Sequence, residues 1–208
     1  AIALAVKLDS HGPVLFIQPR AGRSRRAFGL LKFRTMHPGS EQRSEWVRDN
    51  SDRITRVGRL LRRFRLDELP QLVNVLRGEM NLVGPRPHPV SNQEIFEREI
   101  AYYQLRSTVH PGVTGWAQVK YGYANNLEEE TEKMRYDLYY IKNRSLWLDL
   151  RIVMMTVAIV LRGHGSCDVL TPARPARRAA PAKAARAPEA EPVWALGSGT
   201  VHSSVARQ

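Results

Sequence analysis

The chain has 208 residues, enough for one compact core with extra segments rather than two full domains, and its 32 basic against 20 acidic side chains leave a formal charge of +12. An apolar content of 43% with 25% charged residues excludes wholesale disorder, and the lone Cys167 excludes a disulfide framework or a multi-cysteine metal site. Glycine periodicity and apolar runs of about 20 residues are both missing, which excludes collagen and a membrane-spanning helix within the chain. What is left is a basic globular protein of a reducing compartment with an anionic partner: nucleic acid, a phosphorylated small molecule or an acidic lipid surface.

In chain order, AIALAV ends at Lys7 without a signal-peptide pattern. It reads either as a short buried element or as the last turn of an apolar helix lying mostly upstream, in which case the chain is a fragment. Val14–Ile17 and Leu30–Met36 read as strands joined by the basic loop AGRSRR, a hairpin. Over 53–65, Ile54, Val57, Leu61 and Phe64 share a helical face while Arg53, Arg56, Arg59, Arg62 and Arg63 lie largely off it. A second helix is expected from Glu68 to Leu76, stopped by Gly78. The prolines of MNLVGPRPHP then impose an extended path. Helices are expected around 94–106 and 127–142, the second with a stripe of Leu127, Thr131, Met134, Leu138 and Ile141. HPGVTGWAQVK between them reads as a turn and a strand. IVMMTVAIVL (152–161) is apolar on every side but too short to cross a bilayer, so it suits a buried helix or one lying in the membrane interface. The Ala/Pro/Arg-rich stretch 172–208 reads as a disordered tail; the rest still carries +8, so the core is itself basic.

Chemistry concentrates in LDELPQL. Asp67 and Glu68 sit where a helix would begin, behind a run of arginines, and both the helix N-terminus and the arginines favour the ionised form of Asp67. Such an acid can coordinate Mg²⁺ or attack phosphorus. Equally, Asp67 can be a plain N-cap and Glu68 a partner of the helix dipole. Lys32 and Arg34, two apart on a strand, point to one face, either as a phosphate site or as a solvated surface. Arg86, between Pro85 and Pro87, is either a rigidly presented phosphate clamp or an incidental turn residue. The arginine helix fits a solvated face, a nucleic-acid stripe or an anionic membrane surface. RNP-type aromatics, zinc-finger spacing and a helix-turn-helix are all missing, which counts against nucleic acid. The histidines show no metal spacing and read as surface or turn residues. Trp116, Tyr121 and Tyr123 could stack on a sugar or base, or simply pack. Asp137 and Asp149 read as structural anchors.

Taken together, GPVLFIQPRAG, FGLLKFRTM, DRITRVGRLLRRFRLDELPQLVNVLRGEMNLVGPRP, HPGVTGWAQV and YDLYYIKNRSLWLDL, in this order, resemble the bacterial sugar transferase family, the monotopic polyprenyl-phosphate hexose-1-phosphate transferases. The resemblance implies a mainly helical α+β catalytic domain at 9–171 with a small β-hairpin and amphipathic surface helices. Residues 1–8 would be the end of a truncated apolar membrane helix, and 172–208 the disordered tail. It implies transfer of a sugar 1-phosphate from a UDP-sugar to undecaprenyl phosphate with release of UMP, at the cytoplasmic face of the bacterial inner membrane, as the first step of exopolysaccharide, capsule or O-antigen assembly. By the same resemblance Asp67 is the nucleophile, Asp67 and Glu68 hold Mg²⁺, and Lys32, Arg34, Arg86 and Arg106 contact phosphate. The competing reading is a basic module that binds nucleic acid or membrane without catalysis. The transferred sugar and the oligomeric state, a homo-oligomer included, stay open at this level.

Overall fold

Seven α-helices and four short strands make up an α+β fold in the structure, a computed structural model that describes residues 1–37, 53–122 and 124–163. The predicted 172–208 tail, Cys167 and Tyr123 lie outside the described residues. Strand β1 (Leu15–Ala21) pairs antiparallel with β2 (Ala27–Phe33), in register from Leu15 opposite Phe33 to Ala21 opposite Ala27. The expected hairpin is present but its strands reach further toward the turn. A single 3₁₀ turn, Arg23–Arg25, closes it, with Ser24 and Arg25 in the left-handed region. Past its tip the hairpin edge meets the proline-rich segment: Ala21 N donates to His88 O at 3.0 Å.

Helix α1 (Ile2–Asp9) precedes the hairpin; it buries Val6 and leaves Leu4 and Leu8 exposed. Helix α2 (Arg56–Arg63) is the arginine helix, and its first turn is satisfied twice. Thr55 Oγ1 accepts from Gly58 N at 2.9 Å, and Asp9 Oδ2, reaching over from α1, accepts from Val57 N at 2.9 Å. Gly58 is required by closeness: a Cβ there would lie 2.2 Å from Thr35 O, so α2 crosses directly over the end of β2. The expected second helix is broken in two. Leu66–Glu68 form a 3₁₀ turn, entered through a left-handed Arg65, and α3 (Gln71–Leu76) starts only after Pro70. Pro70 has no N–H and cannot continue the preceding hydrogen-bond ladder, so the acid pair lies in the tight turn and not in the first turn of α3. Gly78 follows at φ +73°, as a stop signal should.

Strand β3 (Asn81–Val83) pairs in parallel with β4 (Gly112–Thr114). Where a strand was expected to continue through GWAQV, the chain turns into α5 (Trp116–Lys120), because Trp116 and Val119, three apart, both pack on a core of Val83, Tyr140 and Ile152. Helix α4 (Val90–Glu99) starts right after Pro89 and ends earlier than expected; left-handed Tyr102 separates it from a 3₁₀ stretch, Tyr103–Thr108. Helices α6 (Leu127–Lys142) and α7 (Leu146–Leu161) follow one another, and Tyr140 of the first and Ile152 of the second meet Val83 in the core. Asn126 accepts from Glu129 N at 2.8 Å to cap α6, and Ser145 accepts from Leu148 N at 3.2 Å to cap α7. Of the predicted α6 stripe only Met134 is fully buried. The inward face is instead Glu130, Lys133, Met134, Asp137 and Tyr140, since the charged members pair with one another and with residues across the interface. Helix α7 is longer than its apolar run, yet among the described residues no helix is long and apolar enough to cross a membrane.

Candidate active site

The 3₁₀ turn and α3 present one buried face to β2: Asp67, Glu68, Gln71 and Asn74, while Leu69, Leu72 and Val73 face outward. Asn74 fastens this face to the strand. Its Oδ1 accepts from Leu31 N at 3.1 Å and its Nδ2 donates to Gly29 O at 2.8 Å. Lys32, next along β2, thereby comes to the acid pair, with Nζ 3.8 Å from Glu68 Oε1. Arg86 reaches the same oxygen at 2.5 Å from the proline-bounded loop, and Arg65 Nη1 lies 4.0 Å from Oε2. Arg65 was not singled out in the sequence, although its spacing of three from Glu68 is the usual helical ion-pair spacing.

The two adjacent carboxylates have opposite electrostatics. Burial alone would raise Glu68, but Arg86, Lys32 and Arg65 outweigh it and hold the group at about 2. Asp67 is pushed the other way: burial first, then the charge of Glu68, raise it above its ordinary value against the opposing pull of Lys32, Arg62 and Arg86. The cations favour ionised Asp67, as the sequence leads one to expect, but burial, which the sequence does not show, opposes them. Asp67 Oδ1 is buried and has no hydrogen-bond partner. Burial, with Arg86 assisting, also brings Lys32 down to about 7 against the pull of Glu68.

Two residues grouped with these in the sequence are elsewhere. Strand β2 ends at Phe33, and Arg34 turns to α1, where its Nη2 donates to Ser10 O at 2.6 Å and Val6 O at 3.4 Å, capping the C-terminal carbonyls of that helix. Arg106 is buried behind the proline-bounded loop with every guanidinium nitrogen engaged. Nε donates to Asp137 Oδ2 at 2.8 Å, Nη1 to Tyr103 Oη at 2.6 Å, and Nη2 to the backbone oxygen of Arg86 at 2.9 Å. It thus touches the site through Arg86 and not through the acid pair.

Behind the loop the network continues. His88, expected at a surface or turn, is partly buried, with Nε2 3.1 Å from Glu130 and its ring edge-on to Phe96 at 5.3 Å. Burial lowers His88 to about 3 despite Glu130. Burial would raise Glu130, but His88 and Lys133 keep it below the usual carboxylate range. Asp149 is the anchor it was read to be, accepting from Tyr140 Oη at 2.9 Å. Trp116 stacks on Tyr139 at 5.9 Å with Lys120 and Arg151 over its ring, and Tyr121 packs on Tyr136, so both aromatics make packing contacts.

A cationic cluster around one ion-paired carboxylate and one with an unpartnered buried oxygen can accept an anionic diphosphate and direct an oxygen at it. Comparison with known proteins gives this geometry its context. Residues 1–163 match the sequence profile described as bacterial sugar transferase. The chain is 47% identical over 167 residues to a UDP-N-acetylgalactosamine-undecaprenyl-phosphate N-acetylgalactosaminephosphotransferase of Aeromonas hydrophila, covering 80% of this chain and 40% of that protein. It is 45% identical over 159 residues to a UDP-glucose:undecaprenyl-phosphate glucose-1-phosphate transferase of Escherichia coli, covering 75% and 34%. An exopolysaccharide production protein of Rhizobium leguminosarum bv. phaseoli is 41% identical over 172 residues, covering 79% and 86%. The chain thus spans two-fifths or less of the length of the first two relatives. With the profile covering most of its length, the chain belongs to the bacterial sugar transferase family.

Proposed function

We propose that the protein transfers a sugar 1-phosphate from a UDP-sugar to undecaprenyl phosphate, releasing UMP, through a covalent intermediate on Asp67. The observation that carries this reading is the contrast within the acid pair: Glu68 is engaged by Arg86 and Lys32, whereas Asp67 Oδ1 is buried among the same cations with no hydrogen-bond partner. A buried polar atom without a partner is costly unless a ligand completes it. The Asp67 carboxylate attacks the sugar-bearing phosphorus, the bond from that phosphorus to the bridging oxygen breaks, and UMP leaves with the oxygen. A phosphate oxygen of undecaprenyl phosphate then attacks the same phosphorus and releases Asp67. Lys32 and Arg86 hold Glu68 beside the nucleophile and offset the charge gathering on the phosphoryl oxygens.

Mg²⁺ fits this donor set. Among the described residues no group of three or more His, Cys, Asp or Glu could hold a metal alone, but Mg²⁺ commonly takes one or two carboxylates and completes its shell with substrate phosphates and water. Asp67, through its unpartnered oxygen, and Glu68 would hold it, and when bound it neutralises diphosphate charge. The lipid acceptor places the reaction at a membrane surface, and by the provenance of UDP-sugars at the cytoplasmic face. Helix α7 supports this: Leu146, Trp147, Leu150, Met154, Val157 and Leu161 form an exposed apolar stripe suited to the bilayer interface. The likeness to an exopolysaccharide production protein supports a place at the start of exopolysaccharide assembly.

The test is UMP release from a panel of UDP-sugars with undecaprenyl phosphate and Mg²⁺ in detergent, using the full-length protein and its Asp67→Asn variant. Release by the wild type alone supports the reaction, and the sugar that responds identifies the substrate. Release by neither protein, with anion binding retained by both, overturns it in favour of a basic binding module.

A further inference from the structure

On the reading that Asp67 and Glu68 carry the transfer, we infer that Asp137, on α6, is a positioning residue for that reaction: through Arg106 it holds the backbone of Arg86 so that the Arg86 guanidinium meets Glu68. Glu68 depends on a side chain presented by an irregular loop, and that loop is fastened at successive residues. Pro85 O accepts from Gly112 N at 2.9 Å, Arg86 O from Arg106 Nη2 at 2.9 Å, Pro87 O from Arg20 Nη1 at 3.2 Å, and His88 O from Ala21 N at 3.0 Å. The prolines on either side restrict the local backbone angles, but they do not fix where the loop lies.

Of these fastenings, the one on Arg86 itself comes from a side chain, and that side chain is oriented from behind. A guanidinium is a planar fork, so setting the direction of Nε sets the direction of Nη2. Asp137 Oδ2 takes Nε at 2.8 Å, Tyr103 Oη takes Nη1 at 2.6 Å, and the fork's remaining nitrogen is aimed at Arg86 O. Both Asp137 and Arg106 are almost completely buried, so solvent does not loosen the pair. The route from Asp137 to Glu68 is therefore three hydrogen bonds long, through Arg106 and Arg86, linking α6 to the acid pair.

The experiment compares full-length wild type, Asp137→Asn, and the double variant Asp137→Leu with Arg106→Met. Replacing both members of a buried ion pair by apolar residues of similar size is often neutral for stability, so the double variant restores the fold without restoring a donor to Arg86 O. If Asp137 positions Arg86, both variants lose ~10–100-fold in kcat, the loss typical of a displaced catalytic group, with KM held within about twofold. Hydrogen exchange at the Gly112 and Ala21 amides, which bond to the same loop, rises in both. Were Asp137 only a stabilising residue, the double variant would recover wild-type kcat and exchange, and that result overturns the inference. A wild type that releases no UMP overturns the reaction instead, and the exchange data still decide whether Asp137 holds the loop.

Discussion

Glu68 and Arg86 meet at 2.5 Å across a boundary between two unrelated pieces of backbone, a 3₁₀ turn and a proline-bounded loop. Neighbouring Asp67 shares the surroundings but lacks that partner, and the difference between the two acids should be measurable in stability as well as in turnover.

For Asp67→Asn, the fold should be retained and thermal stability should stay equal or rise, while UMP release disappears. A carboxyl whose value is raised by burial is one that folding disfavours in its charged form, so a neutral isostere relieves that cost. For Glu68→Gln the sign reverses. Its value is lowered to about 2, so the charge stabilises the fold, and its loss leaves partly buried cations unmatched at a cost of about 2–4 kcal/mol. Thermal denaturation of the pair at pH 7 checks both; a larger loss in the Asp67 variant would refute the assignment.

Acid should unfold the protein partly through His88. Its value lies at about 3 in the folded state against an ordinary 6.5, so the unfolded chain binds the extra proton between these limits and stability falls as pH falls through that window. The slope from this residue is at most about 1.4 kcal/mol per pH unit. Urea denaturation of wild type and His88→Gln from pH 7 to pH 4 should show the smaller slope in the variant.

Gly58→Ala should cost about 1–3 kcal/mol, since its Cβ would press on Thr35 O at 2.2 Å and backbone on both sides must give. Gly78→Ala offers the comparison: nothing lies within 4 Å there, and its cost comes only from a left-handed backbone at φ +73°. Chemical denaturation should show the larger loss at Gly58, together with reduced UMP release, because α2 carries the chain into the acid-bearing turn.

Trp147→Glu, on an indole 79% exposed, should leave stability within about 0.5 kcal/mol of wild type. If α7 lies on a bilayer, sedimentation with vesicles containing anionic phospholipid should fall several-fold for this variant in the full-length protein. Unchanged sedimentation would remove α7 from the contact surface.

What the sequence determined by itself was local. The glycine and proline punctuation and the periodicity located the hairpin, the arginine helix, the proline-bounded loop and helix α6, and LDELPQL marked the acid pair. Local chemistry suffices for these because the cost of a wrong turn or an uncapped helix end falls within a few residues. The pairing of side chains was decided only by the tertiary structure. Lys32 and Arg34 look equivalent in sequence, yet the strand ends between them, and one goes to Glu68 while the other caps α1. The resemblance implies a phosphate contact for Arg106, yet its guanidinium is taken up by Asp137, from a helix thirty-one residues later, and by the backbone oxygen of Arg86. Asp67 and Glu68 are chain neighbours of the same chemical class, and what separates them is burial and the reach of Arg86. These are properties of the three-dimensional packing: desolvation and Coulomb energy depend on distance through space, which the order of residues does not state.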